Sequence, residues 1–129
     1  MSSLTKGTIA IATFTPAADQ TDKEGYGVTL TDGVATLGAS ATVPHKGVIL
    51  QGSPTTGKST VALLGCHEPV PIKLSGTVTK GDFLQQGADG TYLVDAGSGG
   101  RVVGAIALED GISDDIIDAV LLGAPYPLS

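Results

Sequence analysis

The sequence predicts an all-β protein: a compact single domain of short antiparallel strands, a β-barrel or β-clip-like fold, with an extended N-terminal arm. Two observations predict it. The 129 residues include 19 Gly and 7 Pro, with glycine at about twice its usual ~7%, and these breakers recur at roughly eight- to twelve-residue spacing, as in folds of many short strands. Between the breaks, β-branched and small residues alternate, and no window of about ten residues carries a convincing 3.6-residue repeat.

Taken in order, Thr8-Ile9-Ala10-Ile11-Ala12-Thr13-Phe14 alternates, with Ile9 and Ile11 on one face and Thr8, Ala10 and Ala12 on the other. A polar, turn-rich stretch follows from Thr15 to Gly25. Residues 1–20 therefore read as an arm and linker, and residues 21–129 as a single β-domain. The arm strand suits addition to the open sheet edge of a neighbour, with Thr8, Ile9, Ile11 and Phe14 as the partner-binding residues. It suits an edge strand of its own domain equally well, and both readings stand.

From Gly27 to Leu37, two alternating runs meet at Asp32-Gly33, a dipeptide that accepts the positive φ angles of a type I′ turn. The apolar runs Val48-Ile49-Leu50 and Val61-Ala62-Leu63-Leu64 flank the polar stretch Gly52 to Thr60 and read as a second strand pair. Further strands are expected at Val70 to Leu74, Phe83 to Gln85, Thr91 to Val94, Arg101 to Leu108 and Ile116 to Leu122. The segment Ser113 to Leu122 competes as a helix, with Ser113 as N-cap and two Asp in the first turn. Gly123 would end that helix early, and Ile116, Ile117 and Val120 are β-branched, so it reads as the last strand.

Composition narrows the function. Charged residues are 16% and aromatics 4%, with no Trp, against about 25% charged in ordinary domains. The core must be light and aliphatic, and the surface is rich in Thr, Ser, Gly and Ala, which suits burial against partners. A net charge of −6 with only 7 Lys plus Arg leaves no basic stripe for phosphates, so no nucleic-acid partner is expected. No apolar run approaches the ~20 residues of a membrane span, and no signal-peptide pattern opens the chain, so a soluble, non-secreted protein with no membrane partner is expected. Cys66 is the single cysteine, which rules out an internal disulfide and fits folding in a reducing cytosol.

The sharpest chemical motif is Gly52-Ser53-Pro54-Thr55-Thr56-Gly57-Lys58-Ser59, which satisfies the phosphate-binding pattern G-x-x-x-x-G-K-[ST]. Such a loop needs a helix starting at the lysine so that backbone amides and the helix dipole face the anion. Here Gly65, Pro69 and Pro71 leave no room for one, and the Walker-B-like Tyr92-Leu93-Val94-Asp95 is a common strand ending. The expected form is a loop between two antiparallel strands. Cys66-His67-Glu68 lacks a second ligand pair at metal spacing and reads as a bend. His45, after Pro44, reads as an exposed loop residue. The carboxylates Glu109, Asp110, Asp114, Asp115 and Asp118 do not match a calcium loop and read as a solvated face. No catalytic residue, cofactor or metal is assigned.

One stretch has a likeness. Pro69 to Leu84, with its Val78-Thr79-Lys80-Gly81-Asp82 turn, followed by Gly90 to Asp95, Val102 to Gly111 and Ala119 to Leu122, resembles the phage capsid decoration (cement) proteins, small β-rich proteins that stabilise the head. The resemblance covers about residues 69 to 123 and rests on the order and spacing of short elements. It implies a non-enzymatic structural protein on the outer surface of the virion capsid, assembled in the host cytoplasm. Its implied partners are the major capsid protein and copies of itself, a homotrimer first and a dimer second. The alternatives are a P-loop nucleotide-binding protein using Gly52–Ser59, which is disfavoured, and a non-catalytic β-module for virion-surface or carbohydrate attachment.

Overall fold

The computed structural model describes residues 11–38, 43–64, 68–87, 89–95 and 101–128, with residues 101 and 123–128 described by their backbone. The described chain is all strand and turn: β1 (Ile11–Pro16), β2 (Gly27–Thr31), β3 (Val34–Leu37), β4 (Gly47–Gln51), β5 (Ser59–Leu63), β6 (Val70–Lys73), β7 (Phe83–Gln86), β8 (Tyr92–Val94), β9 (Arg101–Ala107) and β10 (Ile116–Leu128). The first five close into a barrel in the order β1-β3-β2-β4-β5, and the others form a five-stranded sheet in the order β6-β10-β9-β7-β8.

The predicted hairpin is present. Thr31 pairs with Val34 across Asp32 and Gly33, whose φ angles of 52° and 80° are those of the primed turn that matches strand twist. Because β2 intervenes between β1 and β3, the chain reverses twice before β3. Thr15 and Pro16 therefore pair in parallel with Val34 and Ala35, and the barrel closes on a parallel pair where an antiparallel arrangement was expected.

The apolar runs in β4 and β5 do not alternate because both faces are covered. Ile49 and Val61 point into the barrel with Val28 and Ala35. Val48 and Ala62 point out and join the core beneath the second sheet, with Ile72, Leu84, Tyr92 and Ile117. The segment that competed as a helix is strand from Ile116, and it continues past Gly123, where the sequence reading stopped. After a register shift between Leu121 and Tyr126, residues Tyr126 to Leu128 pair with Val103 to Arg101. Pro125 and Pro127 are tolerated because β6 pairs only with Ile116 to Ala119, so this half of the strand has one neighbour to serve.

The Val78–Asp82 turn is fixed by its own residues. Val78 is buried and bridges Gly111, Gly81 takes a φ of 94°, and the Asp82 carboxylate accepts the Thr79 amide at 2.9 Å. A second glycine stitches barrel to sheet: the Gly25 amide donates to the Ile49 carbonyl at 2.8 Å, and its own carbonyl accepts from the Lys73 amide at 3.0 Å.

His45 corrects the sequence reading. Although it follows Pro44, it is 2% exposed, because the loop before β4 folds in between barrel and sheet. Its amide donates to Gln86 Oε1 at 2.9 Å, its Nδ1 lies 3.2 Å from the Tyr92 hydroxyl, and the rings meet edge to face. Burial holds its pKa down to about 4 and pushes the Tyr92 hydroxyl above its usual range.

Two predictions follow from these seams. Gly25 and Gly33 both have left-handed backbones, but a Cβ on Gly25 would lie 2.7 Å from the Lys73 amide nitrogen, whereas one on Gly33 meets nothing within 4 Å. Chemical denaturation should therefore show Gly33→Ala costing about 1 kcal/mol and Gly25→Ala about 3 kcal/mol or more. For His45, the unfolded chain titrates near 6.5 and the folded one near 4, so the unfolded state binds the extra proton between these values. Stability from this residue is full above about pH 6.5 and is lost as pH falls toward 4, by on the order of 3 kcal/mol. Denaturation midpoints at pH 7 and pH 4 should reveal the loss, and His45→Gln should flatten it.

Candidate functional site

Among the described residues the surface has no pocket, and no group of three His, Cys, Asp or Glu is placed to hold a metal ion. The P-loop-like motif is the chemical candidate to test first. Its serine opens β5 and its lysine directly precedes that strand, in place of the helix N-terminus a phosphate site needs.

Every residue that defines the motif has another task. Gln20 is 2% exposed; its amide donates to the Ser53 carbonyl at 2.9 Å and its Nε2 to the Ala35 carbonyl at 2.9 Å. The Ser59 hydroxyl, which would ligate Mg²⁺ in a nucleotide site, is fully buried and donates to Gln20 Oε1 at 2.8 Å. Gly52 is small because the Gln20 carbonyl oxygen would sit 1.6 Å from any Cβ, and Gly57 because Ser53 Oγ would sit 2.2 Å away. Lys58 Nζ donates to Thr15 Oγ1 on β1 at 2.8 Å. The motif is thus a β4–β5 loop that fastens β1 and the barrel wall around a buried glutamine, a role with no signal in the local sequence.

The carboxylate group near the C-terminus lies on an exposed hairpin, where the charges serve turns. Asp115 Oδ2 accepts the Ile112 amide at 3.0 Å, Asp110 Oδ1 the Lys80 amide at 2.7 Å, and Glu109 Oε1 the Asp118 amide at 2.8 Å. Tyr92 of the Walker-B-like run is core. Cys66 and His67 lie outside the described residues.

Of the expected partner-binding residues, Thr8 and Ile9 lie outside the described residues, and the structure separates the other two. Phe14 packs on the barrel core. Ile11 faces the other way, opposite Ala62, and is 46% exposed. From Ile11 onward the segment belongs to the domain's own barrel, paired with β5 through Phe14↔Ser59, so the expected boundary at residue 20 cuts through the barrel. A free arm reaches no further than residue 10, because β1 is needed to close the barrel. Sequence reading also passed over the exposed apolar residues Phe83, Ile112 and Ile116; for Ile116, alternation with buried Ile117 was the available sign.

Isothermal titration with millimolar Mg-ATP should give no saturable heat for the intact chain. Gln20→Ala should lower stability by about 2 kcal/mol by stranding the Ser59 hydroxyl. Saturable binding that Lys58→Ala abolishes would refute this account of the loop.

No family model matches the chain, and no curated protein matches it. Among solved structures it is similar to the crystal structure of the head fiber gp8.5 N base in bacteriophage phi29, with a TM-score of 0.64 at 13% identity, over 92% of this chain and 98% of that one. At that identity the likeness is one of fold, and it extends across nearly all of both chains.

Proposed function

We propose that this protein is a non-enzymatic structural component of a phage virion that binds the outer surface of the capsid, with the major capsid protein as partner, and stabilises the head. The observation that supports this best is the fold likeness to a phage head fiber base over 92% of the chain. It agrees with the resemblance of residues 69 to 123 to decoration proteins, which rests on separate grounds. The loop chemistry points the same way, since Lys58 and Ser59 are engaged within the barrel.

The protein acts as a homo-oligomer in this reading, a trimer first and a dimer second, assembled in the host cytoplasm. A charge-poor surface favours association with copies of itself. The arm, Thr8 and Ile9 leading into Ile11, contributes strand addition to a neighbour, while Phe14 anchors the arm's root in the barrel.

Co-sedimentation with expanded, decoration-free capsids tests the reading: saturable binding is expected, and its absence would overturn the proposal. Deleting residues 1–10 should leave the melting transition nearly intact and weaken capsid binding at least tenfold. Deletion through residue 16 removes β1 and should abolish cooperative folding, because β3 and β5 each lose one of two neighbours and the barrel is left open.

A further inference from the structure

We propose that Ile112 and Ile116, displayed on the β9–β10 hairpin, form a docking knob that enters an apolar recess rimmed by Lys or Arg on the larger assembly. The inference rests on the capsid-binding reading and names the contact. Ile112 is 61% exposed and Ile116 46%, the former more exposed than any other large apolar side chain described. Apolar surface left in water on a rigid, shaped element marks a contact surface.

The rigidity is built in. The Val78 amide donates to the Gly111 carbonyl at 2.9 Å, and the Gly111 amide returns the bond at 3.1 Å. The Asp114 amide donates to the Leu74 carbonyl at 2.9 Å, the Leu74 amide to the Asp115 carbonyl at 2.8 Å, and the Asp115 amide to the Ile112 carbonyl at 3.0 Å. Lys73 Nζ caps the Asp114 carbonyl at 2.8 Å, and Asp114 takes a φ of 76°. Ile112 and Ile116 therefore cannot fold back onto the core, where Ile117 already sits. A pre-ordered anchor loses little entropy on binding.

Charge identifies the occupant. Exposed Glu109, Asp110, Asp114, Asp115 and Asp118 all lie within three residues of Ile112 or Ile116 on this hairpin, with Lys73 against the Asp114 carbonyl and the Lys80 amide against Asp110. A second copy that met this hairpin with its own would bring carboxylates against carboxylates. A recess edged with Lys or Arg on a different chain meets them with opposite charge.

The full-length chain and its variants are compared by co-sedimentation with decoration-free capsids, with melting and light scattering on each. Ile112→Ser/Ile116→Thr should bind at least tenfold more weakly with unchanged melting and oligomeric state, while Phe83→Ser, another half-exposed apolar position, should bind within about twofold of the original. Ile112→Lys should bind more weakly than Ile112→Glu, since a basic rim repels the lysine, and the opposite order would overturn the stated partner chemistry. Equal binding by the double variant, or a change in its oligomeric state, sinks the knob and leaves the capsid reading standing. Failure of the unaltered chain to bind capsids defeats both.

Discussion

The fit of His45 between the barrel and the second sheet is the contact on which the rest of the architecture depends. Its ring occupies the space that side chains at positions 27 and 38 would fill, since a Cβ on Gly27 would lie 2.0 Å from Nδ1 and one on Gly38 1.9 Å from Nε2. Its Nε2 finds no hydrogen-bond partner among the described residues. An unpaired buried nitrogen costs on the order of 1 to 3 kcal/mol, so the residue stays because what it holds is worth more. From one position it secures Tyr92, the largest fully buried side chain, and through its amide Gln86, which in turn donates to the Val43 carbonyl.

That joint works because β4 and β5 belong to two cores at once. A five-stranded barrel filled by Val28, Ala35, Ile49 and Val61 encloses little apolar surface, and a light aliphatic core of this size is marginal alone. Presenting Val48 and Ala62 outward to the second sheet makes the barrel wall part of a larger core. Gly25 adds a backbone tie at the same seam, between Ile49 and Lys73. The two β units therefore stand as one body.

What the sequence made legible was local. The Asp32-Gly33 turn, the strand at Ile116 and the strand-loop-strand form of Gly52 to Ser59 follow from residues near one another, because turn chemistry and β-branching act within a few positions. What it hid depended on distance along the chain. Gln20 reaches Ser59, 39 residues away, and His45 reaches Tyr92 across 47; neither pairing leaves a trace beside either residue. The parallel closure by β1 was hidden for the same reason, and that is why a strand that closes the barrel read equally well as a detachable arm and as an edge strand of its own domain.

The phosphate-loop motif shows how a pattern can be met for reasons unrelated to its usual chemistry. Two small residues, a lysine and a hydroxyl are what a tight loop over a buried glutamine requires here: Gly52 and Gly57 clear the Gln20 carbonyl and Ser53, Ser59 satisfies the glutamine, and Lys58 ties the loop to β1. Asp19 and Thr21 fix the approach of Gln20, the Thr21 hydroxyl and amide holding the Asp19 carboxyl below its usual range. The same Asp-x-Thr turn recurs at Asp89 and Thr91, directly before β8 and Tyr92. One small device thus delivers Gln20 and Tyr92, two buried residues that hold the barrel and its junction with the sheet. The buried polar side chains Gln20, His45 and Ser59 are committed to holding strands together, which leaves recognition to the side chains that those strands and their turns expose.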